Sequence, residues 1–187
     1  MDFAAARANM VESQIRTADV TDLDLTDAIR VTPRENLVAA GKAHAAYADA
    51  TVEYAPGRYL LKPRDVAKLL QALHPRAGET ALAICAPYGA AVLETMGLSV
   101  TRLDDPKAAI AGGPYDVVIC EGAVAKAPGA WSAALAQGGR LAVVERTGPV
   151  GHAMLYMRTE GETASRSLFD ATAPVMEGFA PEPGFAF

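Results

Sequence analysis

From residue 80 onward, apolar runs of strand length alternate with runs of helical spacing, and this rhythm restricts the fold more than any other feature. The stretch ALAICAPYGAAVLETMGLSVTRLDD, residues 81–105, reads strand, turn, helix, strand, acid. Strand-like runs at 80–85, 99–103, 115–120 and 139–146 are separated by segments at 88–97, 104–114 and 129–137. Strands alternating with helices imply a mostly parallel sheet covered on both faces. Beyond Pro149, HAMLYMRTEGETASRSLF reads as two strands around Glu160-Gly161, a hairpin signal. An antiparallel pair is therefore expected to finish the sheet.

The first 78 residues read differently. Phe3, Ala6, Met10, Val11 and Ile15 have helical spacing. This helix carries little apolar bulk and is expected to pack on the main body or on a second subunit. Thr21 with Asp24 offers a capping pair before a short helix with Leu25, Ala28 and Ile29 inward. Thr32-Pro33-Arg34-Glu35 reads as a further helix start, with Thr32 as cap and Glu35 reaching back. After a turn at Pro56-Gly57, Pro63 opens a helix striped by Val66, Leu69, Leu70 and Leu73, closed by His74-Pro75 and Gly78. The chain thus divides into a helical region (1–78), a Rossmann-like core with its hairpin (79–170) and a tail (171–187). In the tail, Phe179, Phe185 and Phe187 are candidate anchors.

Bulk properties narrow the partners. The 187 residues are 51% hydrophobic and 21% charged, with a formal net charge of -5. One globular domain with a sizeable core is expected, and a basic nucleic-acid-binding face is not. No apolar run approaches the roughly 20 residues that a membrane span requires. Cys85 and Cys120 both fall in apolar strand-like runs and read as small buried hydrophobes in a reducing cytoplasm. His44, His74 and His152 have no ligand spacing, so no metal site is expected. Met154 and Met157 read as packing residues.

The pieces PRENLV, GRYLLKP, ALAICAPYGAAVLETMG, YDVVICEGAV, GGRLAVVE and SLFDATAP, in this order along nearly the whole chain, resemble the protein-L-isoaspartate O-methyltransferase family. The resemblance implies a Rossmann-like methyltransferase sheet with an N-terminal helical cap, and S-adenosylmethionine as cofactor. It is closest to a bacterial branch in which GRYLL-x-P stands at the serine-containing loop of the repair enzymes.

Set on that family's pattern, the site residues have changed. The acid of the cofactor turn falls at Ala83, and its three glycines fall at Cys85, Pro87 and Gly89. Glycine serves such a turn by permitting positive φ and close backbone approach to a ligand. Cys85 brings a side chain, Pro87 removes an N–H, and Ala83 removes a carboxylate. Tyr88 or Pro87 is expected to fill the volume of the methionine moiety. The other reading is a surface turn that drifted and kept its fold. Asp104 lies 19 residues after Cys85, which fits the acid that holds ribose hydroxyls, although Asp105-Pro106 also reads as the start of a short helix over 106–111. The link 104–114 is too short for the helix, strand and helix that the resemblance implies there, so a sheet shortened after its second strand is expected. The family's catalytic serine position is Leu61, which offers no hydroxyl.

Glu121 should lie beyond a strand's carboxyl end, with Arg58 and Lys62 near it. It is either a ligand contact or a solvated turn acid. Three functional readings follow. One is a family member that no longer binds S-adenosylmethionine and serves as a binding or structural module. Another is an active carboxyl methyltransferase with an unusual cofactor loop. A third, compatible with the first, is a homodimer or protein partner gripped by the N-terminal helix and the tail.

Overall fold

The computed structural model describes residues 1–181. Phe185 and Phe187, expected as tail anchors, lie outside the described residues. Helix α1 (Phe3–Met10) is capped by Asp2, whose carboxylate accepts the Ala5 N–H, and runs on through a wide turn over Val11–Ile15. Met10, Val11 and Ile15 are fully buried against the body. Helix α2 (Leu23–Val31) buries Leu25, Ala28 and Ile29 as expected, but its cap is Asp22. The Asp22 carboxylate takes the Leu25 N–H at 3.0 Å and displaces the expected Thr21–Asp24 pair. Thr32-Pro33-Arg34-Glu35 opens only a single tight turn, Arg34–Leu37. The Thr32 hydroxyl donates back to Ala28 O and cannot cap, while Glu35 accepts from Arg7 and Tyr47.

Strands β1 (Val52–Ala55) and β2 (Arg58–Leu60) form a small antiparallel hairpin around Pro56-Gly57. Gly57 sits at φ +67°, where glycine costs nothing. Helix α3 (Pro63–Leu73) starts on its proline and buries Val66, Leu69, Leu70 and Leu73 completely. Each such side chain contributes about 1.5–3 kcal/mol relative to an exposed one.

The main sheet contains β3 (Thr80–Ile84), β4 (Ser99–Leu103), β5 (Tyr115–Val124), β6 (Leu135–Glu145), β7 (Gly151–Thr159) and β8 (Glu162–Ala171). Their order is β4-β3-β5-β6-β7-β8, parallel from β4 to β6 and antiparallel thereafter. The expected hairpin therefore finishes the sheet at one edge, and β4 is the other edge. Along β3 the period-2 alternation sorts the core. Ala81 and Ala83 face a cluster shared with α3 and with α4 (Pro87–Thr95). Leu82 and Ile84 face a second cluster around Trp131.

Two expected helices are short or missing. Residues 106–111 form no helix, because the Asp105 carboxylate accepts the Lys107 N–H in a side-chain turn that competes with helix formation. Helix α5 (Gly129–Ala133) stops four residues before the expected end. There Tyr115 pairs with Leu135 while Val117 pairs with Arg140, so the β6 strand bulges. Gly139 stands in this bulge, where a Cβ would lie 2.8 Å from the carbonyl oxygens of both Ala136 and Tyr115. Met154 packs as expected, partly buried, but Met157 is 41% exposed.

Candidate ligand site at the first strand-helix turn

In an open parallel sheet, ligands sit beyond the carboxyl ends of the strands. Here those ends are Cys85 after β3, Asp104 after β4 and Glu121 within β5. The turn from β3 into α4 keeps its path. Cys85 donates its N–H to Leu103 O at 2.9 Å and takes φ +46°, the conformation a glycine would hold freely. Pro87 fits the first helical position of α4. Ala83 is buried in the strand and offers no polar group to the turn.

Side chains of this chain fill the space in front of the turn. The Cys85 thiol donates to Asp104 O at 3.3 Å and touches Arg58 Nη1 at 3.1 Å. The same guanidinium nitrogen reaches Met176 Sδ at 3.4 Å, and the Tyr54 hydroxyl donates to Cys85 O at 3.2 Å. Burial pushes the Cys85 thiol up to about 11, against the pull of Arg58. Tyr54 and Arg58 come from the β1–β2 hairpin, and Met176 comes from the tail. The tail is fixed across the tips of β5 and β6. Ala123 N–H donates to Pro174 O, Met176 N–H to Ala123 O, Ala125 N–H to Phe179 O, and Arg146 Nη1 to Ala173 O. Gly122 is required beneath it, since a Cβ there would lie 2.8 Å from Met176 Cγ and Sδ.

Glu121 is neither an exposed turn acid nor an open ligand contact. It is 1% exposed, and its carboxylate accepts the N–H of Gly89, in the first turn of α4, and more weakly that of Leu61 at 3.5 Å. An anion at a helix N-terminus satisfies donors left free by the helix and is favoured by its dipole. Leu61 is held from both sides, because its carbonyl accepts Arg34 Nη2. Arg34 is fully buried, also donates to Ala46 O at 2.8 Å, and lies 4.7 Å over the Tyr88 ring. Burial raises the Glu121 carboxyl above its ordinary value, with Arg34 and the N–H donors opposing. Tyr88, expected in front of the turn, instead points into the core against Arg34. Pro87 is only partly buried.

Asp104 stands at the tip of β4 with its side chain exposed, while its carbonyl receives the Cys85 thiol. Lys62 caps α3 without a side-chain hydrogen bond. A cavity of about 310 Å³ is lined by Pro106, Ile110, Trp131 and Phe179 among others. This cavity and four others leave Ala83, Cys85, Pro87 and Gly89 untouched. Among the described residues no group of three or more His, Cys, Asp and Glu side chains could hold a metal ion, and no helix is long and apolar enough to cross a membrane.

Of the expected site residues, the structure brings Cys85 against the Asp104 carbonyl and Gly89 against the Glu121 carboxylate, two separate pairings. Sequence reasoning missed Arg34, Tyr54 and Met176. Arg34 sat in an apparent helix start, and Met176 in an apparently irregular tail. Only the fold carries them to the turn.

No family model matches the chain. It is 32% identical over 186 residues to a protein-L-isoaspartate O-methyltransferase of Methylorubrum populi, covering 84% of this chain and 87% of that protein. It also resembles two solved structures. One, a protein-L-isoaspartate O-methyltransferase, aligns with a TM-score of 0.73 at 17% identity over 92% of this chain and 66% of the other. The second is a β-aspartate methyltransferase from Plasmodium falciparum in complex with S-adenosyl-L-homocysteine, with a TM-score of 0.66 at 15% identity over 95% and 99%. At these identities the two structures speak for the fold.

Proposed function

The chain belongs to the protein-L-isoaspartate O-methyltransferase family, and from that premise we propose that it is a member that no longer binds S-adenosylmethionine and acts as a binding or structural module. The observation that carries this reading is the Glu121 carboxylate on the Gly89 N–H. A backbone donor at the glycine turn, free for a ligand in a working site, is taken by the protein's own buried anion. The residues present do not fit the cofactor in two further respects. Ala83 lacks a carboxylate, and Cys85 with Arg58 and Met176 stands in front of the turn. Leu61 supports the same view for the chemical step. It has no hydroxyl, and its N–H and carbonyl are bonded into the core.

One feature favours a second reading, an active carboxyl methyltransferase with an unusual loop. Asp104 is exposed at the tip of β4, and the segment that follows it lines a cavity through Pro106 and Ile110, with Trp131 and Phe179 also in the lining, so an acid and a small cavity are both present after β4. Calorimetric titration separates the two. The first reading predicts no saturable binding of S-adenosylmethionine or its demethylated product, and the second predicts binding that Asp104→Ala weakens.

A further inference from the structure

Strand β8 is an edge of the main sheet, paired with β7 along one flank and with no strand along the other among the described residues. Residues 162–167 are exposed at every position, so this stretch of β8 is open on both faces. An edge strand presents a row of unpaired N–H and C=O groups, which proteins commonly guard with Pro, Lys or a bulge. The β8 sequence ETASRSLFDA holds neither residue. Its bulge comes later, where Met154 pairs with Ser167 and Ala153 with Phe169, so that Leu168 is the extra residue. Alternation puts Glu162, Ala164 and Arg166 on one face, opposite Thr159, Met157 and Leu155 of β7. Met157 is one of the few large apolar side chains left exposed. Glu162 and Arg166 have no side-chain partner among the described residues.

We propose that β8 pairs antiparallel with β8 of a second copy of this chain, about a two-fold axis through Ala164. A two-fold that extends a sheet keeps its two faces, so only registers centred on a residue are allowed. Centred on Ala164, Glu162 of each copy stands opposite Arg166 of the other, and opposite charges directly across a strand pair are favourable. Thr163 stands opposite Ser165, and Ala164 opposite its own copy, with a Met157 beside it in each β7. Other centres fit less well. On Arg166 the two arginines would oppose each other, on Ser165 Glu162 would meet the bulged Leu168, and on Thr163 the pairing would run into the turn at Glu160-Gly161. The charges therefore select one register, which joins two six-stranded sheets into one. This surface uses neither the N-terminal helix nor the tail. It is separate from the strand-helix turn, so its test does not depend on the fate of S-adenosylmethionine.

The test is analytical ultracentrifugation of the full chain from about 5 to 500 μM. Twice the mass of one chain is expected at the upper end of that range. Glu162→Arg or Arg166→Glu alone sets like charges opposite each other in both pairs and should weaken association at least about tenfold. The double variant Glu162→Arg/Arg166→Glu exchanges the charges and should restore it. Both side chains are exposed, so the exchanges leave the fold of each copy intact. The mass of one chain throughout the range, association that the single variants leave unchanged, or a double variant that stays dissociated would overturn the proposal.

Discussion

Glu121 on β5 and Gly89 in the first turn of α4 are joined by a buried hydrogen bond, carboxylate to backbone N–H, at the place where a parallel sheet ordinarily receives its ligand. Leu61, Arg34 and Tyr88 complete one continuous polar core around that bond. Replacing Glu121 by Ala would strand these donors and leave Arg34 buried without a counter-charge. The expected cost is about 3–5 kcal/mol, read as a fall in the urea midpoint at unchanged slope. A loss below about 1 kcal/mol would show that the carboxylate does not hold the turn.

The same residue gives a pH signature. Its folded pKa is raised above the ordinary 4.5. Between the two values the native state binds more protons than the unfolded chain, so this group's contribution to stability falls as pH rises through that window. Glu121→Gln cannot titrate. Urea midpoints measured over roughly pH 4 to 8 should show a slope difference between wild type and Glu121→Gln, with wild type losing stability relative to the variant as pH rises. Parallel curves would contradict the assignment.

The tail should guard Cys85. With the thiol raised to about 11 and Met176 buried beside Arg58, thiolate is scarce at neutral pH and access is closed. Both cysteines are expected to resist a thiol reagent until the protein unfolds. Met176→Ala should speed labelling of Cys85 selectively, and Cys120, inside β5, should remain protected. Equal rates for the two thiols in that variant would refute the tail's role.

Arg140 brackets the end of α3 to the sheet. It donates to Leu73 O and His74 O and pairs with both oxygens of Glu79, at 2.8 to 3.0 Å. Bidentate pairing depends on the planar guanidinium. Arg140→Lys should lower stability by about 1–2 kcal/mol and Arg140→Ala by about 2–3, measured by chemical denaturation. If lysine proved as good as arginine, the bracket would be an ordinary surface charge.

Much of this fold is legible in the sequence. The leucine stripe behind Pro63, the alternation through 80–120 and the Glu160-Gly161 turn each have one physical solution. What sequence missed was decided by tertiary contacts. An alanine-rich segment after Trp131 reads as helix, yet pairing with β5 draws it into a bulged strand. Asp105 takes a local side-chain turn in place of a helix. At the site, Ala83, Cys85 and Leu61 are legible as residue types, since an alanine offers no carboxylate, a cysteine carries a side chain that a glycine would not, and a leucine offers no hydroxyl. Glu121 did not announce its role, because strand-end acids are usually solvated, and its burial depends on Arg34 arriving from 87 residues upstream.

The most direct measurement is isothermal titration of the full chain with S-adenosylmethionine and with its demethylated product. A turn closed by Glu121, Cys85, Arg58 and Met176 predicts no saturable heat for either ligand up to about 1 mM. Binding of either one at micromolar concentrations would contradict the account and restore the chain to the working methyltransferases.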